Sequence, residues 1–146
     1  MRTSIAVAAL LAAGCSGDDD TGSPVLRVKE TGVGTCLDFP EDVGAEITEL
    51  PVVPCEVPHS HEIFAVVLTE GDVYPGFEAL ETKATAACLT EFEPYVEVNA
   101  FDSELFYSWM VPTLTSWDRE KDREIICVVG NHNGAPLRGS VKGTRR

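Results

Sequence analysis

The sequence predicts an α+β domain in which one main helix packs on a mixed or antiparallel sheet, cross-linked by two disulfides. Three observations support this fold class. One long segment carries apolar residues at helical spacing, short runs rich in β-branched and aromatic residues precede and follow it, and four of the five cysteines fall within these segments. A chain of 146 residues corresponds to one ordinary domain.

Three strand-like runs precede the helix. The run at residues 33–39 is followed by Pro40. The run at residues 50–55 is interrupted by Pro51 and Pro54, which favours an edge position for it in the sheet. Residues 62–69, with the sequence EIFAVVLT, form a continuous apolar run. Such a run predicts a central strand that is covered on both faces.

The helix is predicted from Phe77 to Phe92. It follows a break at Tyr74-Pro75-Gly76, carries an acidic residue in its first turn, and is expected to end before Pro94. Its apolar face comprises Phe77, Leu80, Ala84, Ala87, Cys88 and Phe92.

Three further strands are predicted after the helix, at residues 104–111, 124–129 and 137–141. The expected order is therefore three strands, one helix and three strands.

The cysteines within these elements predict two disulfides. Cys36 and Cys55 lie in the first two strands, whereas Cys88 is on the apolar helix face and Cys127 is in an apolar strand that this face would cover. Of the three possible connectivities, we expect Cys36–Cys55 and Cys88–Cys127. A four-cysteine zinc site is the alternative, but the chain has no C-x₂-C pair and its cysteine content favours an oxidising compartment.

The charge balance excludes one class of partner. The chain has 11 Lys and Arg against 24 Asp and Glu, a net charge of −13. Because a phosphate backbone requires a basic surface, we expect no nucleic-acid partner. The sequence also predicts no cofactor.

The N-terminus predicts an export signal. Residues 1–14 contain one positive charge at Arg2 and a short apolar run, and they end in small residues directly before Cys15. The stretch Leu11-Ala12-Ala13-Gly14-Cys15 resembles a bacterial lipobox, although leucine is one position further from the cysteine than usual. We therefore expect a diacylated Cys15 and anchoring to the outer face of the cell membrane; simple cleavage and secretion is the alternative.

Four segments follow from these patterns. Residues 1–14 are the predicted lipoprotein signal peptide, and residues 15–32 the lipidated N-terminus with an acidic, flexible tether. Residues 33–143 are the folded domain, and residues 144–146 a basic tail. The mature chain would carry a charge of −14, so the lipid must provide the anchor against an anionic bilayer.

Short motifs extend through almost the whole predicted domain. They are Gly34-Thr35-Cys36-Leu37, Val53-Pro54-Cys55-Glu56-Val57-Pro58-His59 with Glu62, Tyr74-Pro75-Gly76, Cys88, Trp117 with Asp122-Arg123, Cys127, and Leu137-Arg138-Gly139-Ser140-Val141. In this set the chain resembles the septum-formation family of actinobacterial envelope proteins. Lys121 stands where that family usually has glycine. The resemblance implies a place and a process, the envelope and septum formation, but no reaction.

Histidines provide the sharpest candidate for chemistry. His59 and His61 have the spacing that puts two strand residues on one face, and His132 could complete a three-histidine zinc site. Glu62 could then act as a base or support a ligand. The alternative is that His59 and Glu62, which match the family motif, form local hydrogen bonds at the start of the central strand.

A second candidate is a partner-binding loop. Residues 118–124 alternate in charge, and Trp117, Arg119 and Arg123 are of the types enriched at interfaces. A solvated loop with weak ion pairs, or a structural brace, is the alternative. The basic residues near the C-terminus could contact anionic lipid or wall polymer, or could fray; they are Arg138, Lys142, Arg145 and Arg146.

Together these patterns predict a membrane-tethered extracytoplasmic lipoprotein that serves as a non-catalytic binding or scaffold module in the cell envelope or septum. A metal-dependent envelope hydrolase using His59, His61 and His132 is the competing hypothesis.

Overall fold

One helix crosses one face of an antiparallel sheet in the computed structural model, which describes residues 25–39, 47 and 49–146. The predictions for the signal peptide, for Cys15 and for the tether as far as residue 24 lie outside these residues. The elements are β1 (Val25–Arg27), β2 (Cys36–Leu37), β3 (Glu49–Val53), β4 (His61–Leu68), α1 (Phe77–Val96), β5 (Leu105–Met110) and β6 (Glu124–Asn131).

The strands described have the order β1-β3-β2-β4-β6-β5, and neighbours pair antiparallel. The apolar run of β4 lies between β2 and β6, so the predicted central strand is confirmed. The edge position predicted for β3 is wrong, because β1 covers its outer side. Pro51 lacks an amide hydrogen but still accepts a hydrogen bond, from the Asp38 amide through its carbonyl at 3.0 Å.

The predicted α+β class with one main helix is confirmed, but three boundaries differ. The helix begins at Phe77 as expected and continues through Pro94 to Val96. A proline so near the C-terminus removes a single hydrogen bond of the last turns. The strand predicted at residues 137–141 is wrong, since only Leu137 forms an isolated bridge, with His59. The sheet also begins at β1, within the stretch predicted as tether.

Both predicted disulfides are present. Cys88–Cys127 joins α1 to β6 and Cys36–Cys55 joins β2 to the turn after β3, with Cα–Cα distances of 5.5 and 5.2 Å. Apolar residues pack on both faces of the sheet, because alternate residues of β6 point to opposite sides. The helix covers the face that includes Phe64, Cys127 and Val129.

Candidate functional site

A buried carboxylate lies between the sheet and the helix. Glu62 is paired with Cys36 in the sheet, and its side chain has no exposed surface. Its Oε1 accepts hydrogen bonds from the Tyr95 hydroxyl and the Ser140 hydroxyl, both at 2.6 Å, and its Oε2 accepts one from the Val141 amide at 2.7 Å. These three donors stabilise the ionised carboxylate in place of water.

Tyr95 is the residue of α1 that binds Glu62. It lies in the last turn of α1, beyond Pro94, and its ring packs against Phe64. Burial, together with the hydrogen bond to Glu62 and the charge of that residue, raises the pKa of Tyr95. The phenol therefore remains a neutral donor to Glu62 throughout the physiological pH range.

His59 is the second buried polar side chain of the site. It is 1% exposed, and its backbone exchanges two hydrogen bonds with Leu137, at 3.2 and 2.7 Å. Its Nδ1 lies 2.8 Å from the Val57 carbonyl oxygen, so Nδ1 carries the proton and donates it. The other ring nitrogen, Nε2, is buried and has no hydrogen-bond partner among the described residues.

Cys36 completes the group. Its sulfur, a ring nitrogen of His59 and a carboxylate oxygen of Glu62 lie within 4.8 Å of one another, and all three residues are buried. In this structure Cys36 is disulfide-bonded to Cys55, so its sulfur carries no charge. We refer to Cys36, His59 and Glu62 as the polar core. As it stands, the polar core connects the segment around Leu137 and Val141 to the sheet and the helix.

The predicted three-histidine site does not assemble. His61 packs edge-on against Phe39, with ring centroids 4.5 Å apart, and His132 packs on Phe106. Among the described residues, the polar core is the group of three metal-binding side chains that lie close enough together, and it excludes both His61 and His132. His61 points away from Glu62 because neighbouring strand residues face opposite sides of the sheet.

The environment of His61 is apolar, and a neighbouring backbone is close. Burial lowers the pKa of His61 to about 4; Asp38 opposes this effect and His59 adds to it. A Cβ atom at Gly130 would lie 3.1 Å from the His61 ring and from Phe106, so a larger residue there would force these two rings to shift.

Comparison with known proteins places this arrangement in a family. A family model described as "Septum formation" matches residues 23–127. The chain belongs to the septum formation family. The match includes the polar core and both disulfides, and it points to a role in cell division or the cell envelope. No curated protein and no solved structure matches the chain significantly.

The family motif at Trp117 and Arg123 forms a structural brace. Trp117 has no exposed surface, and its Nε1 donates to the Asp72 carbonyl at 3.4 Å. The Arg123 guanidinium lies 3.6 Å from the centre of the indole, and its Nε donates to the Gly71 carbonyl at 3.0 Å. The structure therefore has the arrangement given above as the alternative, the structural brace, since the indole at the π-helical turn Ser116–Glu120 is buried.

Arg119 differs from these two residues, since it is exposed on that turn. A partner-binding role for this segment stays a prediction, with Arg119 as the accessible member.

The C-terminal basic residues pair with acidic groups of the domain. Arg145 forms an ion pair with Glu97 at 3.2 Å, and Arg146 one with Glu104 at 2.6 Å. Arg138 and Lys142 are exposed, and the Lys142 ammonium lies 5.9 Å from the centre of the Tyr95 ring. The predicted tail therefore contacts the domain. No helix in the described part of the chain combines the length and apolar character needed to cross a membrane.

Sequence reasoning about this septum formation domain found Glu62 and His59 but missed Tyr95 and Ser140 as their partners. Tyr95 lies three residues after Phe92, which is helical spacing, but Pro94 was expected to end the helix. Ser140 belongs to the family-like segment at residues 137–141, which was expected to be a strand. That expectation gave no reason to place the Ser140 hydroxyl next to Glu62.

Proposed function

We propose that this protein is a membrane-tethered extracytoplasmic lipoprotein whose septum formation domain acts as a non-catalytic binding module in division or envelope assembly. The observation that carries this proposal is the pair of disulfides that cross-link core elements. Such bonds persist in oxidising compartments, outside the cytoplasm. The signal-like N-terminus and Cys15 supply the route and the anchor.

Burial of the polar core supports binding rather than catalysis. Glu62 and His59 have almost no exposed surface, and Glu62 is held by three donors of the domain itself. A general acid or base must reach its substrate within hydrogen-bond distance. In this conformation these side chains stabilise the fold, so we expect exposed residues on the surface of the domain to bind the partner.

Two neighbouring loops supply a surface suited to recognition. Residues 69–76 and 113–123 are connected by the Trp117 brace and by the hydrogen bond from the Thr69 amide to the Arg123 carbonyl, 2.8 Å long. We name these loops and their flanking residues the braced end. Its exposed side chains include four apolar residues, two cations and four acids; they are Leu68, Val73, Phe77 and Leu114, then Arg119 and Lys121, then Glu70, Asp72, Asp118 and Glu120. Exposed apolar groups with charges of both signs around them favour a protein partner, since interfaces combine an apolar centre with a polar rim.

The anchor is tested by replacing Cys15 with alanine. We expect Cys15→Ala to leave an unprocessed precursor, and globomycin to block processing of the wild type in the same way. Fractionation and intact mass provide the readout. If Cys15→Ala yields mature protein that still partitions with membranes, lipid anchoring is wrong.

Recognition is tested by crosslinking in membranes. We expect Val73→Asp with Arg119→Glu to lose the crosslinked partner, because one change places a charge at an apolar contact and the other reverses a cation. Phe101→Asp with Arg138→Glu is the matched control, since Val73 and Phe101 are both 83% exposed and Phe101 lies in a different loop. Melting temperatures of both variants should equal that of the wild type. Equal crosslinking by both variants would locate the binding surface elsewhere.

A further inference from the structure

The unpartnered nitrogen of His59 is the feature that the fold leaves unexplained. A buried acceptor without a hydrogen bond is unfavourable, because nothing replaces the water that it has lost. His59 Nε2 is such an atom among the described residues. His59 also belongs to the polar core, in which one of its ring nitrogens, the Cys36 sulfur and a Glu62 oxygen lie within 4.8 Å of one another.

We propose that the polar core and Cys55 form a zinc site when the Cys36–Cys55 disulfide is reduced. The four ligands are the sulfurs of Cys36 and Cys55, Nε2 of His59 and a carboxylate oxygen of Glu62. This inference concerns the interior of the domain and does not depend on the proposed binding function.

His59 is already oriented as a metal ligand. A histidine that binds zinc through one nitrogen generally donates the proton on the other to a carbonyl or carboxylate, which fixes tautomer and ring orientation. His59 donates from Nδ1 to the Val57 carbonyl at 2.8 Å and leaves Nε2 with its lone pair. The supporting hydrogen bond is therefore present, and the ligand atom is the one without a partner.

Glu62 has one acceptor position left for a metal. A carboxylate offers about four lone pairs. Oε1 accepts from Tyr95 and Ser140, and within the described part of the chain Oε2 accepts from Val141 alone. The second lone pair of Oε2 remains, and the three donors hold the carboxylate in place as outer-shell groups do at zinc sites.

The cysteines supply the sulfur ligands. Cys55 and His59 are separated by three residues and His59 and Glu62 by two, spacings typical of ligands in one local segment. In a tetrahedral site Zn–S is about 2.3 Å and Zn–N about 2.0 Å. The two sulfurs, bonded in the disulfide, must therefore move apart on reduction, and the Cys55 sulfur, which lies outside the polar core, must turn toward the other ligand atoms. Zinc and two thiolates have no net charge, so metal binding leaves the buried charge at that of Glu62 alone.

Access to the disulfide is asymmetric. Cys36 is buried, whereas Cys55 is only partly buried, so the Cys55 sulfur is the expected point of attack for an external dithiol. A thiolate of the dithiol bonds to the Cys55 sulfur, the Cys36–Cys55 bond breaks, and the electron pair leaves on Cys36 as a thiolate. The second thiol of the dithiol then displaces Cys55, so the dithiol is oxidised to a disulfide and both cysteines are reduced. Zinc binding releases any proton still held on the two sulfurs.

The other disulfide provides an internal contrast. Cys88 and Cys127 have no exposed surface, and they have no such acceptors grouped around them among the described residues. We expect mild phosphine treatment of the folded protein to reduce Cys36–Cys55 and to leave Cys88–Cys127 intact. Alkylation followed by peptide mapping measures this selectivity.

The test uses the full chain with Cys15→Ser, so that Cys15 contributes no thiol. Oxidised and phosphine-reduced protein are incubated with zinc chloride, desalted and analysed for metal. We expect about one zinc per reduced chain and almost none in the oxidised chain. Cobalt(II) in place of zinc should give the thiolate charge-transfer bands of a tetrahedral site. Reduced protein that stays zinc-free, whether folded or unfolded, overturns the proposal.

Two variants separate this site from zinc bound to thiols alone. His59→Asn and Glu62→Gln should each lower the zinc affinity of the reduced chain by at least about tenfold. His61→Asn is the matched control and should bind zinc like the wild type. If all three bind equally, the thiols act without the polar core and the proposal is wrong. Should His59→Asn or Glu62→Gln fail to fold, the cobalt spectrum of the parent decides, since bands from sulfur ligands alone contradict the mixed site.

Discussion

Glu62 is hydrogen-bonded to two other parts of the domain. Its carboxylate receives one hydrogen bond from the helix, through Tyr95, and two from the segment after β6, through Ser140 and Val141. An ionised side chain without surface exposure is stable only when such donors replace its water shell. The three bonds therefore hold three parts of the chain together.

Replacing Glu62 by glutamine should destabilise the domain. The side-chain NH₂ group of Glu62→Gln cannot accept a hydrogen bond, so at least one of the three donors loses its partner, and the others donate to an uncharged carbonyl oxygen instead of a carboxylate. We expect the free energy of unfolding to fall by about 3 kcal/mol, measured by urea denaturation. Glu104→Gln is the control: Glu104 is exposed and paired with Arg146, and should cost less than about 1 kcal/mol. Equal effects would contradict the central role of Glu62.

His61 should make stability depend on pH. Burial lowers its pKa to about 4 in the folded protein, against 6.5 for the model value. Below pH 6.5 His61 is protonated in the unfolded chain, whereas in the folded chain it stays neutral down to about pH 4. Its contribution to the free energy of unfolding therefore decreases as the pH falls from 6.5 to about 4.

The measurement is a proton NMR titration of the His61 ring. We expect a midpoint near pH 4, and we expect His61→Gln to flatten the pH dependence of the melting temperature between pH 4 and 6.5 relative to the wild type. A midpoint near 6.5 would mean that the packing against Phe39 does not exclude water.

At the scale of elements, the side chain of Trp117 joins the π-helical turn at Ser116–Glu120 to the rest of the domain. Trp117 contacts the Tyr74 ring, with centroids 5.8 Å apart, as well as the Asp72 carbonyl and the Arg123 guanidinium. These partners come from the loop before α1 and from the start of β6. The turn and the loop therefore form one structural unit.

Trp117→Ala should disrupt this unit. Removing a fully buried indole leaves a cavity, and we expect a loss of about 3–5 kcal/mol in the free energy of unfolding. Trp109→Ala is the control, because Trp109 is only half-buried in β5 and should cost less. A double change of Trp117 and Arg123 is thus expected to impair folding, so it cannot isolate a binding defect. Wild-type stability of Trp117→Ala would contradict the brace.

At the scale of the whole molecule, the disulfides contribute much of the stability. They close sequence separations of 19 and 39 residues. By loop entropy these contribute about 3 and about 4 kcal/mol, against about 5–15 kcal/mol for an ordinary domain.

The disulfides should therefore contribute unequally. Cys88→Ala with Cys127→Ala should cost more stability than Cys36→Ala with Cys55→Ala, because it opens the longer loop and removes a fully buried link between helix and sheet. Thermal unfolding of both double variants measures the difference. The reverse order would mean that the polar core, which contacts Cys36, matters more than loop length.

How far the sequence predicts this molecule depends on the range of the interactions. The start of α1, the central position of β4 and both disulfides follow from local patterns: apolar spacing, a β-branched run, and cysteines on facing elements. The burial of Trp117 does not, because charged neighbours surround it in sequence and its partners lie some 45 residues away. The conformation of residues 137–141 does not follow from local patterns either. Leu137 and Val141 are bound to His59 and Glu62, and the segment is not a strand.

The position of the donors to Glu62 has a consequence for biogenesis. Ser140 and Val141 lie 78 and 79 residues after the carboxylate that they hold. A chain that emerges N-terminus first therefore exposes Glu62 and the helix long before the groups that satisfy them. The hydrogen bonds that close the domain around Glu62 can form only after residue 141 has emerged, so the emerging chain stays incompletely folded until then, a state compatible with the export proposed above.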